Sequence, residues 1–174
     1  MRIACIHAHP DDAEILAGGT LALLAGLGQQ ITIVTMTAGD CGSAVQRPEE
    51  IAAIRIAEAA ASAALIGAQY RWAGFRDLAL FNDDASRRTV TGLLRELRPE
   101  TILTASPSDY LCDHEATSQL VRDACFAASV PNYATAGSQA PLPTIPYLYF
   151  LDPIAQTDRE GKLVRPNTLH LRTF

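Results

Sequence analysis

Residues 5–19, CIHAHPDDAEILAGG, join a predicted strand to a predicted helix. The apolar run Ile3 to Ile6 is typical of a buried strand, and the apolar spacing from Ile15 to Leu27 is typical of a helix. The turn between them, residues 9–12, contains a histidine, a proline and two aspartates. Ligands of open α/β sheets bind at the carboxyl ends of strands, so this turn is a candidate site.

The two aspartates of this turn, Asp11 and Asp12, are open to two interpretations. Either can cap the helix that follows, because a side-chain oxygen at that position accepts a backbone N–H. Capping needs one acceptor, which leaves the second carboxylate for another role. A histidine and a carboxylate at this spacing, with one further ligand from elsewhere, would form a zinc site with a position open for water. The turn alone does not decide between capping and metal binding.

The bulk properties are those of an ordinary soluble protein. The chain has 174 residues, 48% hydrophobic and 19% charged, which fits a single domain over residues 1–174. The net charge of −5 argues against a nucleic-acid or anionic-membrane partner held by bulk electrostatics. The sequence contains no apolar run of the roughly 18 residues that span a bilayer, and its N-terminus lacks the pattern of a signal peptide. The four cysteines show no C-x-x-C spacing, so we expect reduced thiols and a cytoplasmic location.

Strand and helix patterns alternate along the chain. Strands are predicted at residues 3–6, 30–37, 69–74, 101–105 and 147–151, and helices at 15–27, 49–66, 86–97 and 114–128. Asp113 is expected to cap the last helix, and residues 131–146, with four prolines, are expected to form an irregular loop. This alternation predicts an α/β domain with a mainly parallel sheet covered by helices on both faces.

The end of the chain departs from the alternation. A polar stretch with Asp158, Glu160 and Gly161 predicts a hairpin, and residues 167–174 begin to show a strand pattern. A fold of this type normally closes with another helix. We therefore expect the chain to be either naturally short or truncated at its C-terminus.

His114 supplies the second half of the candidate site. It follows the predicted strand at 101–105, and loops after different strands meet at the carboxyl edge of such a sheet, so it can reach His9 and Asp12. These three residues form a two-histidine, one-carboxylate set that suits Zn²⁺ with a bound water, and also Fe²⁺ or another divalent metal. Asp11 would then act as general base on that water, whose pKa the metal lowers to about 7. The alternative for His114 is a surface position in the first turn of a helix.

Several motifs occur in a characteristic order. They are AHPDDAE with a Gly-Gly pair after it, TMTAGDCGS, RIAE in an alanine-rich helix, LRPE before a strand, and DYLCDH. Over about residues 1–151 this order resembles the LmbE/PIG-L-like family of zinc-dependent N-deacetylases. The resemblance implies a Rossmann-like three-layer catalytic domain that hydrolyses an N-acetyl group from an N-acetylglucosamine-type sugar or related small molecule. Family members are often multimeric, so a homo-oligomer is a further expectation.

The resemblance also implies roles for single residues. The zinc ligands correspond to His9, Asp12 and His114, and the general base corresponds to Asp11. Arg55 falls at the place of a substrate-contacting arginine, and Asp77 at that of a loop acid that lines the sugar pocket. Structural roles are equally consistent with these two positions: an ion pair on a helix surface for Arg55 and an Asx turn for Asp77.

The motif DYLCDH departs from the family at one position. The first histidine of the family's H-x-D-H element, which is thought to stabilise the oxyanion or protonate the leaving amine, is Leu111 here. Leucine cannot donate a hydrogen bond, and the loss of one oxyanion donor typically costs about 2.7 to 4 kcal/mol. Tyr110, Asp109 and His7 are the local candidates to replace it, and we select Tyr110 as the catalytic donor.

Other functions stay open at this point. The same metal site could hydrolyse a non-sugar amide, which Leu111 favours, or could belong to a non-catalytic protein that binds a metal or a sugar. A nucleotide-binding oxidoreductase is disfavoured, because no G-x-G-x-x-G follows the first strand. The glycine-containing loop at residues 38–43 also lacks the lysine of a phosphate-binding loop.

Overall fold

A computed structural model of the protein describes residues 1–154 and 156–164. The strands are β1 (Arg2–His7), β2 (Gln30–Thr37), β3 (Gln69–Phe75), β4 (Thr101–Thr104) and β5 (Tyr147–Phe150). The helices are α1 (Asp12–Gly26), α2 (Pro48–Leu65), α3 (Asp84–Leu97) and α4 (Cys112–Ala127). Each of these elements was predicted from the sequence. The predicted strand at residues 167–174 lies outside the described residues.

The five strands form one parallel sheet in the order β3-β2-β1-β4-β5. The chain proceeds outward from β1 to β3 and then returns to place β4 on the other side of β1. The direction of winding therefore reverses between β1 and β4, where Ile6 pairs with Thr104. Loops on the two sides of such a reversal separate and leave a crevice at the carboxyl edge, which is where ligands bind in sheets of this type.

Side chains of the central strand β1 alternate between two hydrophobic layers. Ile3 and Cys5 pack with residues of α1 and α2, whereas Ala4 and Ile6 pack with residues of α3 and α4. Helices thus cover both faces of the parallel sheet, as predicted. A strand that is buried on both faces has no polar face, which explains the continuous apolar run at the start of the sequence.

The end of α4 is held by a buried arginine. Arg95 of α3 is 4% exposed, and its guanidinium donates to the carbonyl oxygens of Ala127, Ala128 and Val130 at 2.7–3.4 Å. Carbonyl groups in the last turn of a helix have no partner within that helix. Arg95 therefore satisfies the end of α4 and fixes α4 against α3.

The start of α4 differs from the prediction. Its N-cap is Leu111 and the helix begins at Cys112, so the expected Asp113 cap is wrong. Asp113 lies inside the first turn, where its carboxylate accepts the backbone N–H of Leu78 and contacts the ring of His9. The Asp113 carboxylate therefore contacts residues that are distant in the sequence, and it does not cap α4.

The remaining described segments agree with the sequence patterns. Residues 128–146 form an irregular connection, and the predicted hairpin is present as an antiparallel bridge between Thr157 and Leu163. All four cysteines lie in the described part of the chain and are free thiols. None of the helices described here combines the length and the apolar character needed to cross a membrane.

Two leucines of α1 test how this helix packs. Leu21 is fully buried, whereas Leu23 is 65% exposed. Truncation of a buried leucine loses transfer free energy and leaves a cavity, so Leu21→Ala should lower the free energy of unfolding by about 2–5 kcal/mol. Leu23→Ala should change it by no more than about 0.5 kcal/mol. Urea unfolding followed by circular dichroism measures both, and equal losses would contradict the orientation of α1.

Candidate metal centre and active site

The turn after β1 is fixed to both neighbouring strands. Thr37, at the end of β2, donates its backbone N–H and its hydroxyl to the carbonyl oxygen of Ala8, at 2.8 and 3.1 Å. On the other side the hydroxyl of Thr104 donates to the carbonyl oxygen of Ile6 at 2.8 Å. The backbone of this turn is therefore held in place on both sides, and its side chains face α4.

The imidazoles of three histidines surround one carboxylate oxygen of Asp12. Asp12 Oδ2 lies 2.6 Å from His7 Nδ1, 3.3 Å from His9 Nδ1 and 3.3 Å from His114 Nε2. The same oxygen accepts the backbone N–H of His9 at 2.8 Å. Asp12 is 3% exposed, and His7 and His114 are 1% exposed. A buried carboxylate oxygen surrounded by four nitrogens is thus the centre of the site.

Two of these histidines have a second carboxylate on the far side of the ring. His114 Nδ1 lies 3.0 Å from Asp109 Oδ1, and His9 Nε2 lies 3.2 Å from Asp113 Oδ2. Both aspartates are buried. In metal sites a carboxylate at this place orients the imidazole and selects the tautomer that leaves the other nitrogen free for the metal. The nitrogens that remain free for a metal, His9 Nδ1 and His114 Nε2, are the ones that face Asp12 Oδ2.

These contacts also shift the pKa values of the histidines and of Asp12. Burial disfavours a charged imidazole, but Asp113 and Asp12 outweigh it and raise the pKa of His9 to about 10. In the same way Asp109 and Asp12 overcome burial and raise the pKa of His114 to about 9. Burial opposes ionisation of Asp12, yet the close imidazoles, that of His114 foremost and then those of His7 and His9, hold its pKa well below its usual range. A metal ion bound here would replace protons, because imidazole ligates in its neutral form.

The site can hold a metal ion. Donor atoms of His7, Asp12 and His114 all lie within 4.8 Å of one another, and His9 Nδ1 lies beside the same Asp12 oxygen. The structure therefore brings together the three residues predicted as ligands and adds His7. His7 is predicted above only as a candidate oxyanion donor, and the H-x-H spacing with His9 is the one sequence signal that could have indicated its place here.

Asp11, the predicted general base, occupies a strained position. Its backbone angles are φ 103° and ψ −31°, a region that favours glycine and typically costs another residue about 1–3 kcal/mol. Its carboxylate makes no capping bond to α1 in the described part of the chain. Instead Arg55 Nη2 donates to Asp11 Oδ2 at 2.7 Å and to the carbonyl oxygen of Pro10 at 2.5 Å. Arg55 thus holds the turn through both its backbone and its carboxylate.

Asp77 joins two loops beside the site. Its carboxylate accepts the backbone N–H groups of Gly39 and Cys41 at 3.1 and 2.9 Å, and its own N–H donates to Asp40 Oδ1 at 2.7 Å. These bonds occupy N–H groups of the glycine-containing loop, which argues against a phosphate cradle there. In this structure Asp77 and Arg55 therefore make contacts within the protein, and their contacts with a substrate stay predictions.

Tyr110, the predicted oxyanion donor, lies against His114. The two ring centroids are 5.5 Å apart at an interplanar angle of 78°, and Tyr110 is 42% exposed. Partial burial, followed by the charge of Asp12, raises the pKa of Tyr110, so the phenol keeps its proton. Leu111 donates its backbone N–H to Asp109 at 3.2 Å, but its side chain has no donor. A phenol is therefore available beside the site in place of an imidazole.

Comparison with known proteins gives similar chains of the same fold. The deacetylase of 1D-myo-inositol 2-acetamido-2-deoxy-α-D-glucopyranoside from Rhodococcus erythropolis is 27% identical over 161 residues, covering 73% of this chain and 55% of that protein. The N,N'-diacetylchitobiose deacetylase structure from Pyrococcus horikoshii has a TM-score of 0.82 at 27% identity, covering 88% of this chain and 61% of that one. GalB, the 4-carboxy-2-hydroxymuconate hydratase from Pseudomonas putida, has a TM-score of 0.78 at 24% identity, covering 97% and 71%. The last similarity establishes the fold alone.

The chain spans about half the length of the inositol-glucosaminide deacetylases it matches. A sequence model of the GlcNAc-PI de-N-acetylase (PIG-L) family matches residues 4–125. This match covers more than half of the chain and contains His7, His9, Asp11, Asp12 and His114. The chain therefore belongs to the GlcNAc-PI de-N-acetylase (PIG-L) family.

Proposed function

We propose that the protein is a zinc-dependent hydrolase that removes an N-acetyl group from an N-acetylglucosamine-type sugar or a related amide. The observation that carries this proposal is the buried Asp12 carboxylate, which faces the imidazoles of His9 and His114, each backed by its own aspartate. Membership of the PIG-L family supports the same class of reaction, as do the two similar proteins that are named deacetylases.

His9, Asp12 and His114 are the proposed metal ligands. His114 Nε2 is buried without a hydrogen-bond partner among the described residues, and it lies 3.3 Å from Asp12 Oδ2, as expected of an atom placed for a cation. Two imidazoles and a carboxylate fit zinc with an open position, and Fe²⁺ or another divalent metal also suits this set. Zinc bound here supplies Lewis acidity toward the amide carbonyl and makes water acidic enough to attack at neutral pH.

Asp11 is the proposed general base. It directly precedes the proposed ligand Asp12, its carboxylate is half exposed, and Arg55 Nη2 donates to it at 2.7 Å. A carboxylate in this position takes a proton from the attacking water and then gives one to the leaving amine. Tyr110, beside His114, donates to the oxyanion in the role that Leu111 cannot perform.

The proposed substrate is a small N-acetylated sugar. Leu111 favours a second candidate, a non-sugar amide hydrolysed by the same site, because the oxyanion donor differs from that of the family. The similar GalB structure is named a hydratase, and one fold commonly hosts several reactions. Release of acetate from a panel of N-acetylated sugars and simple acetamides separates the candidates. Metal binding without turnover of any of them would favour a non-catalytic protein.

The metal site is tested by its zinc content. We expect about one zinc per chain in the purified protein, measured by elemental mass spectrometry, because three ligands converge on one point. His114→Ala should lose the metal, whereas Gln119→Ala, an exposed position on the same helix, should keep it. A wild-type chain that refuses added Zn²⁺ would remove the metal from the proposal.

The role of Asp11 is tested by comparison with its neighbour. Asp11→Asn should keep the metal and lose at least about 100-fold in kcat, as expected when a general base is removed. Asp12→Asn should lose both the metal and the turnover. Zinc content and acetate release, measured on the same preparations, distinguish the two residues. Near-normal turnover in Asp11→Asn would show that another group takes the proton.

The role of Tyr110 is tested by removal of its hydroxyl. Tyr110→Phe should lower kcat by about 10²–10³-fold with little change in KM, because the phenol donates to the oxyanion in the transition state. Addition of Leu111→His to this variant should recover part of the loss by restoring the family donor. Unchanged kcat in Tyr110→Phe would exclude Tyr110 from catalysis.

A further inference from the structure

His7 is a buried histidine that the proposed reaction does not use. It is the last residue of β1 and pairs in register with Thr35 of β2. Its Nδ1 lies 2.6 Å from Asp12 Oδ2, and its ring lies edge-on to that of His114 with centroids 4.7 Å apart. It therefore touches two of the three proposed ligands while it is 1% exposed to solvent.

The far ring nitrogen distinguishes His7 from the proposed ligands. His9 and His114 each have a buried carboxylate on that nitrogen. His7 Nε2, in contrast, is buried without a hydrogen-bond partner in residues 1–154 and 156–164. Metal-binding histidines almost always have a partner on the far nitrogen, which orients the ring and raises its basicity. His7 lacks this support, and this difference separates it from the proposed ligands, although its donor atom lies within 4.8 Å of those of Asp12 and His114.

The near nitrogen of His7 makes the shortest contact of Asp12. At 2.6 Å it is closer to Asp12 Oδ2 than either of the other two imidazoles, which lie at 3.3 Å. An ionised carboxylate accepts hydrogen bonds and cannot donate, so this contact requires the proton on His7 Nδ1. The backbone N–H of Ala8 also points at Nδ1 from 2.9 Å, and it could donate only to an unprotonated Nδ1. An unprotonated nitrogen and an ionised oxygen 2.6 Å apart would repel each other, so we assign the proton to Nδ1 and do not count the Ala8 contact as a hydrogen bond.

We propose that His7 is a positioning residue for the metal site, whose Nδ1–H donates to Asp12 and fixes that carboxylate toward His9 and His114. This inference rests on the proposed metal site. Because β1 holds His7 rigidly, the carboxylate is held in the ligating orientation before a metal arrives. Partners of this kind contribute about 10- to 100-fold to metal affinity or activity.

Two substitutions test this role. His7→Asn keeps an amide N–H near the position of Nδ1–H, whereas His7→Leu keeps bulk and removes the donor. We expect His7→Leu to weaken Zn²⁺ binding about 10- to 100-fold and His7→Asn to recover most of that loss, measured by competition with a chromophoric chelator. The visible absorption bands of the Co²⁺-loaded chain should keep their positions in both variants, because the ligands are unchanged.

Several outcomes would overturn the inference. Equal Zn²⁺ affinity in the wild type and both variants would show that Nδ1 contributes nothing. A loss in His7→Asn as large as that in His114→Ala, with shifted Co²⁺ bands, would make His7 a direct ligand. Circular dichroism checks that the variants fold. If His7→Leu does not fold, His7→Gln replaces it, because its longer side chain places the amide at the Nε2 position instead.

The same measurements separate this inference from the proposed function. A wild-type chain that binds no Zn²⁺ overturns the metal site and the role of His7 together. If the wild type binds Zn²⁺, His114→Ala abolishes this binding and the His7 variants bind as tightly as the wild type, only the role of His7 is overturned.

Discussion

The buried carboxylate of Asp12 is the constraint on which the rest of the site depends. Burial of an ionised carboxylate is costly unless the group is paired and fully hydrogen-bonded. Asp12 stands at the start of α1, where the helix dipole favours negative charge, and four nitrogens face its Oδ2. Three of these nitrogens belong to imidazoles from β1, from the turn after it and from α4. They converge only because β1 and β4 are neighbours, so the strand order and the site depend on each other.

A second set of polar contacts ties together loops that are distant in the sequence. Asp113 bonds to the turn after β1 and to the backbone of Leu78 after β3. Asp77 holds the loop after β2, and Arg55 reaches from α2 to the strained turn at Asp11. These bonds set the positions of the proposed ligands and of the proposed base before any substrate binds. Electrostatic stabilisation of a transition state requires such preorganisation, because groups that reorganise during the reaction lose their advantage.

Much of the architecture could be predicted because periodicity and strand–helix alternation are local properties. The pairing of His9 and Asp12 with His114 could also be predicted, since the carboxyl ends of parallel strands share one edge. The partners of individual side chains could not. His9 and Asp113 are 104 residues apart, and the sequence carries no signal for their contact. Local rules therefore placed Asp113 at a helix cap, although the fold uses its oxygens to orient a ring and hold a loop.

His7 and Arg55 show the same limit in a different way. The sequence predicts that His7 ends a strand, but it does not predict that the side chain faces Asp12. It predicts that Arg55 lies on a helix, but it does not predict that the side chain reaches the turn at Asp11. The direction in which each of these side chains points is determined by the packing of the helices on the sheet, and this packing cannot be read from the local sequence.

The measurement that most directly tests the central role of Asp12 is a crystal structure of the zinc-loaded chain with an anomalous difference map at the zinc edge. We predict one peak at bonding distance from His9 Nδ1, the Asp12 carboxylate and His114 Nε2, with His7 bonded to Asp12 and not to zinc. A map with no peak at Asp12, or with zinc bonded to His7 in place of His9, would contradict this assignment.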